Sequence, residues 1–415
     1  MRQQQPSRRE IWSWAFYDFA NSSYSTLIAS LIFPVLYRTV IAGGTGKADF
    51  YWGLCIAISV TLAALASPII GALADRAKNK KEILVWLSLA CIAGTAALWY
   101  APSLGLFLNS ALFILTNFCY SAALVVYDSF LNDLSTRHTR GKISGFGWGI
   151  GYLGGLVAMI ALYPLYSAGF AGENLPKYLL TFPAVAAFFL LFAIPTFIFL
   201  RSHKHLCTHP LPAWKALPDA CKSLAGTLKQ WKQYKNILLF LLAFYLLNDG
   251  LNTIFSFIPI YASVTLGLSI GFTAILYIVV QIVGVPATII SGHLSDRFGA
   301  KPVLVVSTLG WMLVVALLLA SPSKTMMFVI AVLTGIIIGG SQAPARSLLA
   351  KLVPVDKACQ FFGFNGFANK ISASLGPVIF GGISWATGSQ RWALASVLIF
   401  FVASIIVLRL VREPK

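Results

Sequence analysis

The chain has 415 residues, of which 58% are hydrophobic and only 11% are charged, and its formal net charge is +18. A soluble chain of this length needs far more charged surface, so the composition excludes an assembly of soluble domains. In a membrane protein Lys and Arg collect in cytoplasmic loops, so the basic balance does not indicate a nucleic-acid partner.

The apolar residues come in long runs that predict helices crossing a membrane. The basic start, MRQQQPSRRE, is not followed by a short apolar segment with a cleavage site, so no signal peptide is expected. Runs of about 20 residues are long enough to span a bilayer. They predict an all-α membrane protein with twelve transmembrane helices, at 11–40, 52–74, 82–101, 105–130, 143–169, 177–200, 236–264, 272–295, 301–320, 325–350, 360–386 and 391–410.

The helices divide into two predicted halves, residues 1–200 and 236–415, joined by a basic cytoplasmic linker at 201–235. With both termini in the cytoplasm, 25 of the 31 Lys and Arg residues fall on the cytoplasmic side and five fall outside. Lys370 is the one left over, inside the eleventh predicted helix. This asymmetry supports the twelve-helix count and the orientation.

Cysteine and histidine usage predicts neither a disulfide framework nor a metal site. Three of the six cysteines lie inside apolar runs, and the other three lie in predicted cytoplasmic segments, where thiols stay reduced. The linker contains HKHLCTHP at residues 203–210, and His and Cys are common metal ligands. A solvated basic loop is nevertheless the preferred interpretation of this segment. Gly149, Gly151 and Gly154 fit the G-x-G-x-x-G pattern of dinucleotide-binding proteins, but no strand precedes them and they lie within an apolar run. We therefore expect no cofactor.

A loop motif occurs once in each half, between the second and third predicted helices. GALADRAKNKK starts at Gly71, and GHLSDRFGAKP starts at Gly292. Each copy has Gly, then Asp four residues later, then Arg. The enrichment of cytoplasmic loops in Lys and Arg would explain the basic residues but not the shared Gly and Asp, so the pattern indicates an internal duplication. The residues concerned are Gly71, Asp75 and Arg76 in the first copy and Gly292, Asp296 and Arg297 in the second.

With these loops, the chain resembles the major facilitator superfamily. WAFYDFANSSYSTL at the start, RGKISGFGWGIGYLGG at 140–155, LLNDGLNTI at 246–254 and FFGFNGFANKISASLGP at 361–377 are similar to its vacuole-effluxer branch, which includes autophagy-related vacuolar amino-acid effluxers. The resemblance implies a transporter with a central cavity between its halves. It also implies that Asp75 braces one conformation, together with a nearby Arg such as Arg137 or Arg140.

Polar side chains follow single faces of several apolar helices. Residues three, four or seven positions apart lie on one face of a helix. The stripes are Asp18, Asn21, Ser22 and Ser25; Asn117, Ser121 and Asp128; Tyr245, Asn248, Asp249, Asn252 and Ser256; and Asn365, Asn369, Lys370 and Ser374, with Gln342 on the tenth helix. Asn and Ser can simply join neighbouring helices, and Asp128 can act as a gate or anchor instead of lining a cavity.

Asp18, Asp249 and Lys370 are ionisable and lie well inside their helices, where a charge is expensive and usually functional. The first two are candidate proton or cation sites. Lys370 is a candidate partner for a substrate carboxylate or for one of the aspartates, and a purely structural ion pair is the alternative. Trp14, Tyr17, Tyr24 and Tyr245 are candidate cavity walls or interfacial anchors.

We therefore expect a secondary transporter of a small solute, possibly amino acids, driven by a proton or ion gradient, since no Walker-type ATP motif is present. We expect a monomer. We also expect a bacterial inner membrane in preference to a vacuole membrane. The alternatives are a carrier of a siderophore or metal chelate and a transporter-like receptor. An enzyme is not expected, because no catalytic constellation lies at membrane depth.

Overall fold

The structure is a computed structural model of the chain. It describes residues 7–43, 46–76, 80–136, 138–167, 172–201, 226–227, 229–264, 270–320, 323–354, 357–387 and 390–414. The His- and Cys-containing linker segment at 203–210 lies outside these residues, as does Arg137.

The N-terminal half is built from long helices joined by short turns. The first begins at a capping box, in which Ser7 and Glu10 each accept a hydrogen bond from the other's backbone N–H. The helices are α1 (Arg8–Ser23), α2 (Gly46–Arg76), α3 (Lys80–Ala97), α4 (Ala101–Ser129), α5 (Arg140–Tyr166) and α6 (Thr181–Phe199), with short helices at Leu131–Leu134 and Leu175–Leu179.

α1 does not stop at Ser23, but its hydrogen-bond pattern changes. The chain continues as a π-helix over Tyr24–Ile32, a short α-helix over Phe33–Leu36 and a second π-helix over Tyr37–Ile41. Such π segments are rare and are often found at functional sites. They alter the angular spacing of side chains along the second half of this first membrane segment.

The C-terminal half repeats the arrangement. Its helices are α7 (Lys235–Val264), α8 (Ile270–Phe298), α9 (Ala300–Leu319), α10 (Lys324–Leu352), α11 (Ala358–Thr387) and α12 (Gln390–Leu410). Gly299, between α8 and α9, has φ of 95°, a conformation that glycine adopts without strain. Ser323 caps α10 by accepting a hydrogen bond from the backbone N–H of Met326.

Among the described residues, eight helical stretches are long and apolar enough to cross a membrane. One of them, Lys80–Leu134, contains both α3 and α4. The all-helical membrane protein expected from the sequence is therefore confirmed. The count of twelve spans and the orientation of the termini stay predictions.

The start of α1 and the end of α12 lie at one end of the bundle, which we call the terminal end. There the end of α12 meets the start of α7, where the backbone N–H of Arg412 donates to Asn236 Oδ1 (2.8 Å). The guanidinium of Arg9, near the start of α1, lies 5.0 Å from the ring of Phe199 at the end of α6. Lys351 at the end of α10 pairs with Glu413 (3.0 Å).

Packing within each half is aromatic and close. Tyr17 and Tyr127 stack with ring centroids 4.9 Å apart in the interior of the N-terminal half. In the C-terminal half, buried Trp311 donates to Ser341 Oγ (2.8 Å). Between the halves, the most extensive contacts join α2 to α11 and α5 to α8. These four helices therefore position the residues that lie at the boundary.

Candidate functional site

The centre of the site is Arg346, a residue of α10 that is only 6% exposed. Its Nη1 lies 3.0 Å from Asp128 Oδ1 on α4 and 3.9 Å from Asp18 Oδ2 on α1. Its Nε donates to Ser144 Oγ (3.0 Å) and its Nη2 donates to the Ser144 carbonyl (2.8 Å) on α5. One side chain of the C-terminal half therefore binds three helices of the N-terminal half.

Aromatic rings surround the same guanidinium. Its Cζ lies 4.9 Å from the ring of Trp14 and 5.5 Å from that of Trp148. Trp14 is held in place because its indole N–H donates to the Tyr127 carbonyl (3.1 Å) and its ring stacks on Tyr127. Cation–π attraction and a planar, multidentate donor suit Arg here better than Lys.

Glycines of α5 make the room that this site needs. A Cβ atom at Gly147 would lie 2.6 Å from the Trp14 ring and 2.9 Å from Arg346 Nη2. A Cβ atom at Gly151 would lie 3.0 Å from the Asp18 carboxylate carbon. The small-residue spacing on α5 therefore lets α1 and Arg346 approach closely.

A second polar cluster joins three helices of the C-terminal half. Gln342 on α10 donates from Nε2 to Asn248 Oδ1 on α7 (3.0 Å), and Asn248 Nδ2 donates to Asn369 Oδ1 on α11 (2.9 Å). One turn further along, Asn252 Nδ2 donates to Ser372 Oγ (3.3 Å). The predicted stripes on these helices therefore lie together.

The two ionisable residues of this half have different surroundings. Asp249 is completely buried on α7, next to the cluster in sequence. Lys370 follows Asn369 on α11 and is half-buried.

The loop-motif glycines lie where the halves touch at the terminal end. A Cβ atom at Gly71 would lie 2.1 Å from the Cys359 carbonyl oxygen at the start of α11. A Cβ atom at Gly292 on α8 would lie 2.4 Å from the Gly141 carbonyl oxygen on α5. Backbone therefore meets backbone at both contacts, and only glycine fits without displacement.

The second motif aspartate caps a helix of the other half. Asp296 Oδ1 accepts from the Gly141 N–H (2.7 Å), and Oδ2 accepts from the Lys142 N–H (2.6 Å). A carboxylate at a helix N-terminus satisfies free N–H groups and opposes the helix dipole. Asp296 thus ties α8 to the start of α5 beside the glycine contact.

The remaining predicted residues take several positions. Tyr17 is buried in the N-terminal half, where its hydroxyl pairs with Ser88 Oγ (2.6 Å), and Asn21 is 2% exposed on α1. Arg140 is buried at the start of α5, and Arg297 is exposed beside Phe298. The side chains of Asp75 and Arg76 lie outside the described residues.

Arg346 is not among the residues that the sequence analysis predicts for the site. It lies near the cytoplasmic end of the tenth predicted helix and is one of the 25 Lys and Arg residues counted on that side. A signal was available: Arg346 lies four residues after Gln342, within the same apolar run, so both lie on one helix face. Among the residues that the structure describes, no group of three or more His, Cys, Asp or Glu side chains is arranged to hold a metal.

Comparisons with known proteins agree with this architecture. The family model "Vacuole effluxer Atg22 like" matches residues 40–415. The chain is 32% identical over 409 residues to an uncharacterized MFS-type transporter, YxiO, of Bacillus subtilis, covering 97% of this chain and 94% of that protein. It is 27% identical to autophagy-related protein 22 of Yarrowia lipolytica over 64% of this chain, and spans about half (49%) of that relative's length.

Solved structures show the same fold. The proton:xylose symporter XylE, a major facilitator superfamily protein, matches with a TM-score of 0.77 and 15% identity, over 98% of this chain and 96% of the symporter. The family model covers most of the sequence, and the Bacillus transporter aligns nearly from end to end. The chain therefore belongs to the Atg22-like vacuole effluxer family of major facilitator superfamily transporters.

Proposed function

We propose that this protein is a secondary transporter that moves small zwitterionic solutes, amino acids first among them, by alternating access coupled to a proton gradient. It works as a monomer with twelve transmembrane helices, in two six-helix halves at 1–200 and 236–415, in a bacterial inner membrane. It needs no cofactor. The superfamily supports transport in general, and the site supports the statements on substrate and coupling.

The observation that carries the proposal is that Arg346 lies between two aspartates across the boundary between the halves, hydrogen-bonded to Asp128 (3.0 Å) and 3.9 Å from Asp18. Alternating access requires contacts that hold one side shut and can be broken in each cycle. Arg346, Asp296 and the glycine contacts all act at or near the terminal end. They support a state in which this end is closed.

Asp18 is the proposed proton site. Its carboxylate is 3.9 Å from Arg346 Nη1, beyond hydrogen-bond distance, whereas Asp128 bonds the same nitrogen at 3.0 Å. The more weakly held carboxylate is the one that can accept a proton while Asp128 keeps the guanidinium in place. Protonation removes one of the two charges that attract Arg346, which favours separation of the halves.

The substrate site that we propose lies on the C-terminal half. Lys370 offers a cationic group to a substrate carboxylate, and the amides of Asn248, Asn369 and Gln342 offer donors and acceptors nearby. The buried carboxylate of Asp249 is the counterpart for a substrate ammonium group. A zwitterion carries both the carboxylate and the ammonium group that these two residues are proposed to bind, which is the chemical reason to favour amino acids.

Purified protein in liposomes tests the proposal. Radiolabelled amino acids should enter the liposomes, and an imposed pH difference should drive them above equilibrium. Protein-free liposomes and protein with the pH difference collapsed are the controls. Equal uptake with and without the pH difference would refute proton coupling. Failure to move any amino acid, by protein whose thermal unfolding is cooperative, would refute the substrate class.

A further inference from the structure

A groove lined mostly by apolar and aromatic residues opens beside α7 and α11. It has a volume of about 600 Å³ and lies between α7, α11 and Pro68 of α2. Leu238 and Leu242 of α7 lie on one wall, and Phe364 and Phe367 of α11 lie on the other. The volume is within the range of about 300–1,000 Å³ that is typical of ligand pockets.

The dimensions of the groove match a lipid chain. Its α7 wall runs from Tyr234 to Tyr245. At about 1.5 Å per helical residue, this wall is about 16 Å long. Half of a typical hydrocarbon core is about 15 Å. One acyl chain of a single leaflet therefore fits along it.

The two ends of the groove differ in charge. Lys229 and Lys232 are exposed at the end nearest the start of α7, on either side of Trp231, which is 53% exposed. Lys357 closes this end, since its Nζ donates to Thr227 Oγ1 (3.2 Å) and to the phenolic oxygen of Tyr234 (2.9 Å). The sequence from 226 to 248 contains no acidic residue. A basic end beside a tryptophan fits a membrane interface with anionic headgroups.

We propose that the groove binds an anionic phospholipid, with one acyl chain along α7 and α11 and its phosphate near Lys229 and Lys232. The groove wall includes residues of both halves, because Pro68 belongs to α2. A Cβ atom at Gly363, on α11, would lie 2.8 Å from Pro68 Cα, so the groove borders the contact between the halves.

The test compares lipids on the purified full-length protein. Native mass spectrometry should show phosphatidylglycerol retained on the protein and phosphatidylcholine of the same chains lost. Lys229→Gln with Lys232→Gln should weaken phosphatidylglycerol binding by about tenfold to thirtyfold. Lys324→Gln, which removes an exposed charge at the start of α10, should leave binding unchanged. Equal retention of the two lipids would overturn the proposal.

A second variant tests the groove itself. Leu242→Trp fills the space between α7 and α11 without changing any charge, and should reduce phosphatidylglycerol binding as strongly as the lysine changes. Soluble glycerol phosphate should not compete with the lipid if the acyl chain is bound. Full binding by a folded Leu242→Trp protein, or displacement by glycerol phosphate, would show that only surface charge attracts the lipid and would refute the groove as its site.

Discussion

Arg346 of the C-terminal half donates from Nη1 to Asp128 of the N-terminal half at 3.0 Å, and the guanidinium is almost fully enclosed. A charge-assisted bond in such a place is strong, and removing one partner leaves a buried charge without compensation. The contact between the two halves at this point therefore depends on the pair. It also means that any opening must supply new surroundings, water or substrate, for both charges.

The first prediction concerns the shape of the cation. Arg346→Lys keeps the charge but cannot bond Asp128 and Ser144 together, so transport should fall by about tenfold or more. Uptake by proteoliposomes measures this, with Arg409→Lys, an exposed position at the end of α12, as the matched control. If Arg346→Lys transports at the unaltered rate, the forked geometry has no role in the cycle.

The second prediction concerns coupling. Asp18→Asn should abolish accumulation driven by a pH difference but leave exchange of substrate across the membrane largely intact, because the amide cannot take up a proton. Glu173→Gln is the control, since it neutralises an exposed carboxylate in the short segment Gly172–Asn174. Accumulation by Asp18→Asn to the unaltered ratio would assign Asp18 a structural role between helices.

The third prediction concerns the substrate carboxylate. Lys370→Gln should weaken binding of a zwitterionic solute by about tenfold or more, since bonds to charged groups contribute about 1.5–3 kcal/mol. Equilibrium binding to purified protein measures the effect, with an amino-acid amide as the companion ligand. The amide lacks the carboxylate, so its binding should not change. Equal losses for both ligands would indicate that Lys370 supports the fold.

The fourth prediction concerns the backbone contact between α5 and α8. Gly292→Ala places a methyl group 2.4 Å from the Gly141 carbonyl oxygen, which should force the terminal end open. Gly284→Ala on the same helix is the matched control, because its nearest neighbour would be at 3.5 Å. The measurement is maleimide labelling of Ala343→Cys, a fully buried position, in a cysteine-free background. Labelling that stays slow in Gly292→Ala would contradict the gate.

The fifth prediction concerns topology. Lys324→Cys should react with an impermeant reagent added to intact cells, whereas Lys215→Cys should react only after the membrane is opened. The distribution of Lys and Arg motivates both outcomes. Reaction of the cysteine at 215 in intact cells would refute the orientation and with it the count of twelve spans.

Much of the site was foreseeable because ionisable residues are rare in apolar runs. Asp18 stands out as an ionisable residue deep in an apolar run, and Asp128 as part of a polar stripe, with a gate or anchor as its alternative role; the structure places both near one guanidinium. Their partner was not foreseeable in the same way. Helical periodicity shows which residues share a face, but not which distant helix the face meets. The contact between Asp18 and Arg346 joins residues far apart in the chain.

Local geometry also limited the prediction. The stripe from Asp18 to Ser25 assumed a regular α-helix, whereas the chain becomes π-helical at Tyr24. A π-helix bonds each residue to the fifth one along, so Ser25 no longer follows the spacing that relates Asp18 to Asn21. The apolar sequence YSTLIASLI carries no distinctive signal for this change.

The seam between α5 and α8 has a consequence for the protein's evolution. Where two side chains collide, a compensating change can shorten the neighbour and restore the fit. At Gly292 the opposing atoms are the Gly141 carbonyl oxygen and the Gly145 Cα. Both belong to the backbone, so no substitution there can shorten the neighbour. A lineage that loses this glycine has no local route to recover the contact, and recovery must come from shifting a whole helix.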